Sequence, residues 1–533
     1  MHTAVQQSRI PTDSISGSGH AMSRNKPLVV VSCLTITVIG LLIQFSTYLN
    51  HDIAWVLYST RWMMSGAIFG QDVIAANPPL IWYLSYPVVS ISSVFDLRLD
   101  TAFRIVVSVT VIASALWSRA IIQKSTFNKL ANTFMVSTFF VFFLDTYKDF
   151  GQRDSLALMF CLPYFCLAAA KRDGTKYSLL ESITAGLMAG MGLSLKPYFL
   201  LVPVLVELVT FKRWDWKRHF RPETYAVVFF MFAYVGFLFM FVQEYLFEAV
   251  PMIKQIYWGF ETSSWTLMMY SAEELSITFI CLTMLFGQKS NVTLVKVMFA
   301  VALGFLVSYF VQNKGYSYHQ SPFRGSLFIA VSVWISSLSQ NYSERKLKAF
   351  LQVTLICLVV ISVNRTGNWF LSYNSFFEGG STGNTQRGTP AEQSELIARV
   401  NKHARSKKFL AFSTHPYPGF PTAAYVDAEW ASRTNSRVFL PAVAKLRSMN
   451  LPKDDERLVF AETMERKFAF RDLSQQADVI LVDSAQDKHG LFGVQFDILE
   501  FYREDPQFRE LWRAYNEVEQ IGSTRVFVRS KSQ

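Results

Sequence analysis

Charge is scarce in this sequence: Asp, Glu, Lys and Arg make up 17% of its 533 residues, against about a quarter in ordinary soluble domains. That shortage, with 51% apolar and 15% aromatic residues and a mean hydropathy of +0.22, excludes a disordered chain and a soluble enzyme and leaves an integral membrane protein. Cysteine is rare as well. Cys33, Cys161, Cys166, Cys281 and Cys357 all lie in apolar segments, at spacings that fit neither a zinc site nor a disulfide framework. No sequence repeat or long low-complexity tract is present. The formal net charge of +11 does not mark nucleic-acid binding, because the Lys and Arg sit in short clusters between apolar runs, as the positive-inside rule predicts.

Apolar runs are what the chain has in abundance. Residues 1–27 form a polar tail with Arg9, Arg24 and Lys26, and residues 28–48 are long enough to cross the roughly 30 Å hydrocarbon core. The tail exceeds the n-region of a signal peptide, so this run reads as an uncleaved anchor with a cytoplasmic N-terminus. Further runs continue to about residue 356. If all of them crossed, the basic connections at 119–129, 171–176 and 212–221 would fall outside. Keeping 79–95 on the outer face as an interfacial segment returns them to the cytoplasm, together with Lys289, Lys296 and Arg345-Lys346-Lys348. Pro78, Pro79 and Pro87 argue for the same placement.

The expected architecture is an all-helical polytopic membrane domain at 28–376, with about 11 transmembrane helices and interfacial helices in the first external loop. A Gly/Ser/Thr-rich linker at 377–389 leads to an external α/β domain at 390–533. There the patterns predict a helix at 390–405, strands at 408–413 and 477–483, amphipathic pieces between Val494 and Trp512, and terminal strands at 515–522 and 524–530.

In this topology the unusual polar residues collect on the external side. The first external loop opens with Asn50-His51-Asp52, continues through an amphipathic stretch at 53–69, and reaches Asn77-Pro78-Pro79-Leu80. The second carries Tyr147-Lys148-Asp149-Phe150-Gly151-Gln152-Arg153-Asp154. Later loops carry Leu195-Lys196-Pro197 and Asn313-Lys314-Gly315-Tyr316-Ser317-Tyr318-His319. Acids and cations at one membrane face are what sugar transfer from a lipid phosphate needs: a carboxylate to take the acceptor's proton, and cations to stabilise the departing phosphate. In the α/β domain, Thr414-His415-Pro416-Tyr417-Pro418 with Trp430 and Arg433 reads as a packed loop rather than an acceptor surface.

Asp52, Asn77-Pro78-Pro79-Leu80, Arg153-Asp154, Leu195-Lys196-Pro197 and Asn313-Lys314-Gly315-Tyr316, in that order, resemble the GT-C glycosyltransferases. Within them the pattern is most similar to the bacterial aminoarabinose transferases of lipid A, related to the protein O-mannosyltransferases. The resemblance covers about residues 28–330. It implies Asp52 as the acid that activates the acceptor, Asp154 as the acid that orients acceptor or donor sugar, and Lys196 and Lys314 as cations on the lipid phosphate. Adjacency and charge add Arg153 to the phosphate set, with Asp149, Asn77, Tyr318 and His319 as substrate-binding candidates. Asn77 departs from the family pattern, which has Glu-Lys-Pro or a His before the prolines, so a cation is missing there unless Arg153 or Lys148 substitutes. The second loop lacks an Asp-x-Asp, so metal-independent transfer is expected and no cofactor is implied.

The implied function is transfer of a sugar, with inversion, from a polyprenyl-phosphate donor to an envelope glycan, lipid or protein acceptor, in a bacterial inner membrane with the C-terminal domain periplasmic. A lipid-linked sugar transporter or flippase would place polar residues deep in its helices and on both membrane sides. A catalytically silent scaffold would tolerate neutral replacement of Asp52 and Asp154.

Overall fold

The computed structural model describes residues 18–210, 221–287, 292–341, 352, 356, 359–360, 362–367, 389–405 and 407–530. The basic runs at 212–220 and 345–348, Lys289 and the linker at 377–388 lie outside the described residues. Helices follow in order as α1 (Ser18–Phe45), α2 (His51–Met64), α3 (Leu80–Val94), α4 (Leu99–Gln123), α5 (Ala131–Phe140), α6 (Arg153–Arg172) and α7 (Leu179–Leu193). Next come α8 (Leu201–Thr210), α9 (Pro222–Phe241), α10 (Val250–Lys254), α11 (Ser264–Tyr270), α12 (Ala272–Gly287), α13 (Thr293–Gln312) and α14 (Ser317–Asn341).

Five described segments are long and apolar enough to cross a membrane: Pro27–Phe45 within α1, and α4, α6, α9 and α13. Leu28, Leu34 and Leu42 on α1 and Phe232 and Met240 on α9 point outward, as side chains do where the surrounding solvent is hydrocarbon. The chain is an integral membrane protein. The stretch expected on the outer face at 79–95 forms α3, whose 15 residues are fewer than the roughly 20 a crossing requires.

Small residues draw the bundle together. A Cβ at Gly186 of α7 would lie 2.3 Å from the Glu223 carbonyl oxygen, and one at Gly190 would lie 2.7 Å from Phe230 Cβ, so this small-xxx-small pair lets α7 and α9 approach closely. Helix α6 is packed on nearly every side by α4, α7, α13 and α14. Its first turn, Arg153-Asp154, is therefore held at a fixed position at the end of the bundle.

The C-terminal region begins with α15 (Pro390–His403), whose Thr389 and Glu392 form a reciprocal capping box. A five-stranded sheet follows in the order β2-β1-β3-β5-β4, with β1 (Lys408–Phe412), β2 (Glu429–Trp430), β3 (Val479–Asp483), β4 (Tyr515–Ile521) and β5 (Thr524–Arg529). Strands β2, β1 and β3 are parallel, while β5 and β4 close the sheet antiparallel. Helices α16 (Leu440–Ser448), α17 (Glu456–Leu473), α18 (Ile498–Arg503) and α19 (Pro506–Trp512) complete it.

This α/β unit is seated on the segment between α1 and α3. Trp430 N–H donates to Tyr58 Oη at 2.8 Å, Leu49 N–H to Tyr425 Oη at 3.0 Å, and Ile74 N–H to the Arg433 carbonyl at 2.9 Å. Phe420 packs edge-on against Trp55 and Tyr58 of α2, with ring centroids 5.3 and 5.8 Å apart.

Candidate active site

Between the helical bundle and the α/β unit lies a cavity of about 690 Å³. Its helical side includes Asn50, His51, Asp52, Asn77, Lys148, Asp149, Arg153, Tyr257, Tyr316 and Tyr318. The sheet side brings Thr414, His415, Tyr417, Asn435, Ser436, Lys488 and His489.

Asp52 stands in the first turn of α2, which Asn50 caps. The Asn50 Oδ1 accepts from the Asp52 N–H at 2.9 Å and from Gln152 Nε2 at 2.8 Å, so one side chain ties the first loop to the second. That bond is why Asp52 and Arg153, distant in sequence, face the same space. The Asp52 side chain keeps 19% of its surface exposed, and His51 Nε2 lies 4.0 Å from its Oδ2. Burial holds the His51 imidazole below its ordinary value and Lys148 adds to this, while Asp52 opposes them, so the ring stays neutral near pH 7.

Neighbouring residues on α6 serve different surfaces. Arg153 lines the cavity, and its Nε has no hydrogen-bond partner among the described residues. Asp154 is fully buried in an ion pair with Lys196, 2.8 Å away, and Lys196 also donates to Gln312 Oε1 at 2.7 Å. The Tyr318 ring stands between these groups, its centroid 5.8 Å from the Arg153 guanidinium carbon and 5.1 Å from Lys196 Nζ. Asp154 and Lys196 thus back the cavity lining rather than form part of it.

Lys314 is likewise outside the lining. It donates to the Tyr257 carbonyl at 2.7 Å, sits 4.3 Å above the Tyr257 ring and lies 3.6 Å from Glu261. Burial pushes its ammonium down to about 8, against the opposing pull of Glu261. Burial also pushes Tyr257 itself up to about 12. His319 is buried beside Tyr316 and Tyr318, with centroids 5.3 and 4.4 Å away. Asp149 lines the cavity, and its buried Oδ2 has no partner among the described residues. Its carboxyl is raised by burial, with Lys148 and Arg324 opposing.

Of the residues singled out from sequence, Asp52, Asn77, Asp149, Arg153 and Tyr318 therefore meet at the cavity, and Asp154, Lys196, Lys314 and His319 stand behind it. Lys148 joins the lining as well and brings to it a second cation beside Arg153. The loop expected to be merely packed, Thr414 to Tyr417, lines the cavity, while Trp430 is buried at the seam with α2. His489 and Tyr257 were not singled out at all. A usable signal existed for His489, because it follows a buried strand of a parallel sheet, where ligand-binding loops gather.

The helical bundle and the α/β unit together share their fold with a solved structure. The crystal structure of ArnT from Cupriavidus metallidurans bound to undecaprenyl phosphate aligns with a TM-score of 0.52 at 11% identity, over 97% of this chain and 99% of that one. The archaeal oligosaccharyltransferase AglB from Archaeoglobus fulgidus, in complex with an inhibitory peptide and a dolichol-phosphate, aligns with a TM-score of 0.44 at 9% identity, over 94% and 74% of the two chains. No protein-family model and no curated protein sequence matches the chain.

Proposed function

We propose that this protein is a membrane glycosyltransferase that moves a sugar from a polyprenyl-phosphate carrier to an acceptor on the external face of a bacterial inner membrane. The observation that carries the reading is a partly exposed carboxylate, Asp52, facing the same cavity as a buried guanidinium, Arg153, whose Nε has no partner among the described residues. An acceptor hydroxyl gives its proton to Asp52 as its oxygen attacks the anomeric carbon. The bond from that carbon to the phosphate oxygen breaks, its electron pair leaves on the lipid phosphate, and the configuration inverts. Arg153 and Lys148 stabilise the charge that develops there. Lys196 and Lys314 act through Tyr318 and Tyr257, which they hold in place. The chemistry asks for no metal, consistent with a proton acceptor and cations in one cavity. That the ArnT structure of the same fold is bound to undecaprenyl phosphate supports a lipid-phosphate donor.

The test is mass spectrometry of envelope glycans and polyprenyl-phosphate sugars from a deletion strain carrying wild type, Asp52→Asn or empty vector. Loss of one decoration with accumulation of a lipid-linked sugar, in both the variant and the empty vector, is the expected result. Full restoration by Asp52→Asn removes Asp52 as the base.

A further inference from the structure

The carboxyl ends of the parallel strands all open into the cavity. Thr414, His415 and Pro416 follow β1, Asn435 and Ser436 follow β2, and Asp487, Lys488 and His489 follow β3. In an open α/β sheet that edge is where ligands are held, since loops from several strands converge there. Its polar groups are mainly uncharged: Thr414, Asn435 and Ser436, joined by Thr389 and Gln393 from the start of α15. Asp487 and Lys488 bring opposite charges, so no net positive field faces the ligand from this side. Thr414 is buried, yet its Oγ1 has no hydrogen-bond partner among the described residues.

Rings complete the wall. His51 and His415 lie 4.3 Å apart by centroid, His415 and His489 4.9 Å, and His489 and Tyr316 5.6 Å. The His415 Nδ1 accepts from the Tyr417 N–H at 3.0 Å, which puts the proton of the neutral ring on Nε2. The first two pairs meet edge to face and the third is stacked, so the wall offers ring faces that suit the C–H face of a sugar, and the adjoining hydroxyl and amide groups suit its OH groups.

We propose that the α/β unit supplies the acceptor subsite, and that the group glycosylated is a hydroxyl of a neutral glycan. This rests on the transferase reading above and names its second substrate. A phosphate acceptor would need an excess of cations on the sheet side, whereas Lys488 there is matched by Asp487, and Arg153 and Lys148 stand on the helical side with the donor. A peptide acceptor is commonly held along a strand edge. Of the two edge strands, β4 gives no residue to the cavity lining, and β2 has two residues, with Tyr58 occupying the Trp430 N–H. In the transfer, the glycan oxygen bonds the anomeric carbon, the lipid phosphate departs and Asp52 keeps the proton.

The test reads the linkage of the decoration that wild type restores to the deletion strain. It is expected to survive both mild acid and alkaline β-elimination, and permethylation analysis should place it on a sugar ring carbon. Release by mild acid marks a glycosyl phosphate, release by alkali marks a Ser or Thr of a protein, and either overturns the proposal. In a second arm, full-length Thr414→Val and His415→Ala should each lower transfer at least tenfold, with lipid-linked sugar accumulating. Their binding of undecaprenyl phosphate should stay within twofold of wild type. Wild-type transfer in both variants overturns the subsite. If no decoration depends on the gene, the transferase reading itself fails, a result distinct from either release.

Discussion

Asp52 and Asp154 each follow a basic residue in sequence, His51 and Arg153, yet only the fold separates their tasks. Asp52 has exposed surface in the cavity and Asp154 is sealed against Lys196. The sequence order of acids and cations was enough to find the cavity's polar centre, because short loops at helix ends keep such residues on one face. It did not tell lining from support, since that depends on which way successive residues of the first turn of α6 project. Asp52→Asn should lower turnover about 10²–10⁴-fold while lipid binding persists, as read by single-turnover transfer from a synthetic donor. Asp154→Asn should instead cost stability, about 3–5 kcal/mol, because it strands the buried Lys196; thermal unfolding in detergent checks it. Lys314 gives a pH signature. Its ammonium, pushed down to about 8, is charged at pH 7 and neutralises as pH rises through that value, losing its attraction to the Tyr257 ring and to Glu261. Transfer should therefore decline above about pH 8, and Lys314→Arg, which keeps its charge, should move the decline upward.

Among the elements, those with clean periodicity were legible. Helix α15 with its capping box, strands β1 and β3, and the β4–β5 hairpin form where the pattern placed them, to within a few residues. Helix α17 escaped because its buried face includes Glu465 and Asp472, charged residues that read as solvent-facing. Arg437 is buried between them, 2.7 Å from Glu465 Oε1 and 2.6 Å from Asp472 Oδ2. Strand β2, two residues long, carries no period to detect. Replacing the guanidinium by an apolar side chain, Arg437→Met, leaves Glu465 with no cation among the described residues and Asp472 with Arg471 alone. It should destabilise the α/β unit by about 3–5 kcal/mol, seen as early protease cleavage within residues 390–530. In the bundle, Gly186→Leu must force α7 away from the Glu223 backbone. Overpacking of this kind costs about 1–3 kcal/mol, measurable as a lowered unfolding temperature.

At the scale of the whole molecule, apolar faces on α1 and α9 fix the bundle in lipid, and the α/β unit is hydrogen-bonded to the loop that carries Asp52. The cavity exists only because both parts are present, which is why neither composition nor any single motif revealed its sheet-side wall. Native mass spectrometry of the full-length protein in nanodiscs, titrated with undecaprenyl phosphate, tests whether Arg153 holds the lipid phosphate while Asp52 serves only the transfer. Wild type and Asp52→Asn are expected to bind the lipid equally, and Arg153→Ala at least tenfold more weakly. Equal binding by wild type and Arg153→Ala would contradict this assignment.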